Sequence, residues 1–114
     1  MASYAISFRI AEQGNADERR ASLVSKVNEI STVVTWDETT SFILIKSFLS
    51  AEEVASKIYL ESSMRTDIDK LLVVRVDGDA YSHRGDIKYP ALLGSFFAQS
   101  EVVNALAGLG AYRR

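Results

Sequence analysis

The chain has no cysteine and one histidine, and each scarcity removes a class of chemistry. Without cysteine there is no disulfide, no thiolate metal site and no sulfur nucleophile. His83 alone cannot build a multi-histidine metal centre, so a metal would have to draw on aspartate and glutamate. No apolar run approaches the roughly 20 residues of a membrane span. The first residues also lack the charged-then-apolar order of a secretory signal. A cytoplasmic protein with no membrane partner and no cofactor is the expectation. Positive charge is not in excess either: 13 Lys and Arg against 15 Asp and Glu leave a formal charge of −2. That argues against binding nucleic acid through bulk charge, which shows as a strongly basic domain, and leaves room only for a local basic patch.

What is present supports one domain with a core. The 114 residues are 47% hydrophobic and 25% charged, ordinary values for a globular chain. The first strand is the clearest element. Tyr4, Ile6, Phe8 and Ile10 alternate with Ala5, Ser7 and Arg9, which gives one apolar face and one different face. Gly14 and Asn15 mark a turn, and Asn15 or Asp17 can cap a helix. Leu23, Val24, Val27 and Ile30 then form the apolar stripe of that helix, with Arg19, Arg20, Lys26 and Glu29 read as a solvated face.

Residues 32–36 and 41–47 are β-branched and aromatic runs separated by Asp37, Glu38 and Thr39, the pattern of a hairpin. Phe42, Ile43, Leu44 and Ile45 are consecutive apolar residues, as in a strand covered on both faces. Ser50 and Glu53 form a capping box that opens a second helix carrying Val54, Ala55, Ile58 and Tyr59 inward, to about Met64. Residues 65–69 read as a connector, residues 70–76 as a strand, and Asp77, Gly78 and Asp79 as a turn. Tyr89 and Pro90 allow a further helix to begin, with Leu92, Leu93, Phe96 and Phe97 buried. Residues 100–106 suggest a last short helix.

The order β-α-β-β-α-β predicts an α+β, ferredoxin-like domain. Its four-stranded antiparallel sheet would carry two helices on one face, a core over about residues 3–77 and a short helical C-terminal appendage over about 78–114. Right-handed crossovers make the first and third strands central and put the fourth beside the first. The second sheet face then needs cover from the C-terminal segment, a second copy or a ligand. Arg9 and Arg75, on neighbouring strands, share that face if Leu72, Val74 and Val76 turn to the helices. Ser7, Phe42 and Lys46 join them. A guanidinium pair suits phosphate and an aromatic suits a base. The same residues equally suit a dimer interface in which the arginines meet a partner's carboxylates, and exposed Phe42 and Leu44 favour that cover.

The motifs resemble a family of small bacterial proteins labelled "SinR family", distinct from the helix-turn-helix regulator of that name. Its first strand is of the Y-x-I-S-Y-D-L type, matched here from Tyr4 to Ile10. Its W-x-x-L-D-S-T-W-I-I-K-T-like hairpin is matched from Trp36 to Ser47, its S-x-x-E-I from Ser50 to Val54, and its D-x-L-L-V-x-x-L strand from Asp69 to Val76. The family looks related to CRISPR-associated ferredoxin-fold nucleases that act as integration adaptors, and to virulence-associated protein D toxins. This resemblance implies a homodimer and a setting in mobile-element or toxin–antitoxin biology. In the nuclease relatives an aspartate ending the first strand holds a divalent metal across the dimer, where it can activate water. Here that position is Arg9, which has no lone pair to offer a metal. A non-catalytic interaction protein, with a further protein partner as one role, is therefore the leading expectation. The alternatives are a divalent-metal nuclease using Asp77 and Asp79, and a nucleic-acid binder using the sheet face.

Overall fold

A computed structural model describes residues 1–97. Its elements run β1 (Ala2–Arg9), α1 (Ala16–Ile30), β2 (Phe42–Ser47), α2 (Ala51–Glu61), β3 (Lys70–Arg75) and α3 (Pro90–Gly94). The three strands form an antiparallel sheet in the order β2-β1-β3, so the first strand is central and the strand at residues 70–75 lies beside it, as expected. The helix expected at residues 100–106 and the end of the appendage, residues 98–114, lie outside the described residues.

The alternation of β1 decides the layers. Ile6 sits between Ile43 and Val73, and Tyr4 between Ile45 and Arg75. Directly opposed residues share a face, so these rows point the same way. There they meet Leu23 and Val27 of α1 and Val54 and Ile58 of α2. The capping box holds: Glu53 donates its N–H to Ser50 Oγ at 3.1 Å, and Ser50 donates its own to Glu53 Oε1 at 2.8 Å. Asn15 stands at the N-cap of α1, yet its side chain makes no capping bond and instead accepts from Arg19 at 2.8 Å.

The expected second strand, residues 32–36, is the main correction, and the sheet has three strands rather than four among the described residues. Residues 32–36 form no ladder, only a single antiparallel bridge between Trp36 and Leu44 on the outer edge of β2. Thr32 N–H also reaches Lys46 O, at 2.8 Å. The two ends of the segment thus touch β2, while Val33 and Val34 bulge into solvent. Local side-chain bonds divert the backbone. Ser31 Oγ donates to Val33 O at 2.8 Å, and Thr35 Oγ1 bonds Asn28 Oδ1 at 3.2 Å.

A second correction concerns Arg19, which is buried rather than solvated. It is 1% exposed and lies on the same stripe as Leu23 and Val27. Its Nε donates to Asp69 at 3.0 Å, and Asp69's side chain is fully buried. The remaining donors reach Gln13 O at 2.9 Å, Ala11 O at 2.9 Å and Asn15 Oδ1 at 2.8 Å. Asp69 also accepts the N–H groups of Ala11 (2.9 Å) and Arg65 (2.8 Å). Burial pushes the Asp69 carboxyl up, but the Arg19 guanidinium and these two amides outweigh it and hold the group below its ordinary range.

Removing one partner of such a pair strands a buried charge, so Asp69→Ala or Arg19→Met is expected to cost roughly 3–5 kcal/mol in urea unfolding. Because the folded carboxyl titrates below its unfolded value, its contribution is complete above about pH 4 and is lost as pH falls further. Urea midpoints measured from pH 6 down to pH 2 are expected to fall less steeply in Asp69→Asn than in the native chain.

Candidate functional site

The second face of the sheet carries Ala5, Ser7 and Arg9 of β1, flanked by Leu44 and Phe42 of β2 and by Val74, Leu72 and Lys70 of β3. Its two halves differ. Over β1 and β2, residues from the C-terminal part of the described chain cover it: Leu93 and Phe96 are buried with Trp36 and Leu44, and Phe42, Val76, Tyr81 and Phe97 pack around them. Over β3 it is bare, with Leu72 59% and Val74 43% exposed.

The covered half contains a cleft of about 520 Å³ with four aromatic residues in its walls, Trp36, Phe42, Tyr81 and Phe97. Trp36 and Phe42 meet edge to face with centroids 6.5 Å apart, and Tyr81 stacks on Phe97 at 4.2 Å. Both are favourable aromatic geometries. Gly94 allows the second pair its position, since a Cβ there would lie 2.7 Å from Tyr81 Oη. Glu38 ties the sides together. Its carboxylate accepts the Trp36 indole N–H at 3.0 Å and the backbone N–H groups of Lys88 at 2.6 Å and Tyr89 at 2.8 Å. Desolvation works against the charge, but these donors prevail and hold the Glu38 carboxyl below the usual range.

The bare half borders a free edge. Val76 donates its N–H to Ser3 O at 2.9 Å, so by strand alternation the even-numbered residues of β3 turn their backbone groups toward β1. Leu71, Val73 and Arg75 turn theirs outward, where no strand pairs with them among the described residues. The other edge is guarded by the contacts of Thr32 and Trp36 with β2.

The expected constellation of Arg9 and Arg75 is not assembled. Arg75 opposes Tyr4 and so belongs to the helix side, while Arg9 opposes Lys70 on the second face. Leu72 and Val74 do not turn to the helices; Leu71 and Val73 do. Ser7 and Phe42 are cross-strand neighbours on the second face, and Lys46 shares it opposite Ser3. Asp77 and Asp79 do not converge as metal ligands. Asp77 accepts the Ser3 N–H at 2.9 Å and pairs with Arg75, and these two contacts, in that order, lower its carboxyl below the ordinary range. Asp79 lies exposed in the turn after β3. Among the described residues no group of three or more His, Asp or Glu stands ready for a metal.

Sequence reasoning missed Glu38 as an organiser of the cleft, because its partners lie 50 and 51 residues away. Glu38→Ala is expected to free three donors at once, lowering the melting temperature and shifting the emission of Trp36, the only tryptophan, to the red. In the native chain the Glu38 contribution is present above the ordinary glutamate range and fades as pH falls below it.

Comparison with protein-family models, with curated proteins and with solved structures finds no match to this chain.

Proposed function

We propose that this chain is a small, non-catalytic interaction protein of reduced ferredoxin-like architecture, working as a homodimer joined along β3. The observation that carries the reading is the open edge of β3 with exposed Leu72 and Val74 beside it. A six-residue edge with four apolar residues and outward backbone groups that no strand among the described residues pairs is a template for another strand, and this one is self-complementary. Antiparallel pairing about Val73 sets the outward groups of Leu71, Val73 and Arg75 against those of the partner's Arg75, Val73 and Leu71. Leu72 then meets the partner's Val74 in a close, non-hydrogen-bonded pair, which shields one flank of each exposed apolar side chain from water. Lys70 falls opposite the partner's Val76, so like charges are not opposed. Tyr59 of α2, with Met64 and Leu71, borders the same edge and adds apolar area.

The non-catalytic part of the reading rests on Arg9 at the position where the resembling nucleases carry aspartate, and on Asp77 being engaged by Ser3 and Arg75. A second reading has its own observation. Arg9 and Lys70 stand side by side on the second face, and neither forms a salt bridge among the described residues. Such a pair suits a phosphate backbone, and affinity for a short RNA would then fall steeply with salt.

Sedimentation equilibrium tests the dimer. The native chain is expected to dissociate on dilution, and Leu72→Lys with Val74→Lys to weaken the dimer more than about a hundredfold. Both positions are exposed in one copy, so at concentrations where the native chain is monomeric the two unfolding curves are expected to coincide. A native chain that is monomeric at every concentration, or a double variant that dimerises undiminished, contradicts the reading.

A further inference from the structure

The aromatic cleft has a polar rim that its packing does not explain. Thr39, Ser82, His83 and Arg84 line it beside the four aromatic rings. Arg84 is held in place through one nitrogen only: Nη1 donates to Ser82 Oγ at 2.8 Å and to His83 O at 2.7 Å. Its Nε and Nη2, the edge of the guanidinium that grips a carboxylate or phosphate side-on, carry no hydrogen bond and no carboxylate among the described residues. The walls behind it are held by the three bonds to Glu38 and by the stack of Tyr81 on Phe97.

We propose that this cleft is a binding site for a small flat aromatic anion, its ring among Trp36, Phe42 and Tyr81 and its anionic group on the free edge of Arg84. Size agrees, since about 520 Å³ falls within the range of small-molecule sites, which are mostly apolar with a few convergent polar groups. Charge agrees as well. No Asp or Glu among the described residues lines the cleft, and Glu38, which holds the Trp36 indole, is already taken up by three N–H donors. The hydroxyls of Thr39 and Ser82 supply further polar partners at the rim. No residue of β3 lines the cleft, so the site is independent of the pairing of that strand.

The chain carries its own reporter. With one tryptophan there is one indole N–H signal, and it comes from the wall of the cleft. Titrating the full chain with 2-naphthoate is expected to move that signal saturably. The neutral 2-naphthalenemethanol is expected to bind about tenfold more weakly, the loss of one charge-assisted contact, and inorganic phosphate alone to leave the signal in place. Arg84→Met is expected to erase the preference for the acid while retaining the weaker binding of the neutral ring and the native melting curve. The proposal is overturned if 2-naphthoate gives no saturable shift, if the native chain binds acid and alcohol equally, if Arg84→Met keeps the preference, or if phosphate alone saturates the same signal.

Discussion

The buried pair of Arg19 and Asp69 is the contact on which the arrangement of this molecule depends. It joins the exit of β1 at Ala11 and the first turn of α1 to the entry to β3, 50 or more residues further along the chain. A buried ion pair is tolerable only when every donor and acceptor is used, and here each is. At the opposite end of β3, Asp77 repeats the device on the surface, taking a backbone N–H from Ser3 and a guanidinium from Arg75. Two aspartates thus bracket β3, Asp77 tying it to the Ser3 amide within β1 and Asp69 to the Ala11 amide two residues beyond that strand. The register of the β1–β3 pair follows from these two anchors as much as from the ladder between them.

That register sets where interaction can occur. It turns Leu71 and Val73 into the helix-side core and leaves Leu72 and Val74 on the second face. The sheet is asymmetric in consequence. Its β2 side is closed at the edge by Thr32 and Trp36 and covered on the second face by Leu93 and Phe96. Its β3 side is open at both among the described residues. The dimer reading belongs to the open side and the aromatic cleft to the closed one, so a single small domain has room for a protein contact and a ligand contact without overlap.

Much of the fold was legible in the residues. The alternation of β1, the apolar stripe of α1 and the capping box at Ser50 and Glu53 each have a period or spacing with only one reading. Arg19 was legible and misread: it lies four residues before Leu23 and eight before Val27, a helical spacing that marks it as inward-facing, but its charge argued for solvent. The face of β3 was not legible. Four consecutive apolar residues, Leu71 to Val74, hide which pair points inward, and a shift of one residue exchanges the faces. That is why Arg9 and Arg75 were expected together and stand apart. Residues 32–36 have strand composition, yet the side chains of Ser31 and Thr35 compete locally for the backbone and for α1. The organising role of Glu38 depends on partners half the chain away, which no local pattern encodes.

The central claim is that β3 meets a second copy through its outward backbone groups, and residue-resolved amide hydrogen exchange addresses it directly. In a single copy the amides of Leu71, Val73 and Arg75 face away from β1, whereas those of Leu72 and Val74 are held by it. Across a hundredfold range of protein concentration, the account predicts that protection of Leu71, Val73 and Arg75 rises with concentration while that of Leu72 and Val74 stays nearly constant. Protection at the outward amides that does not change with concentration, whether high or low, would contradict it.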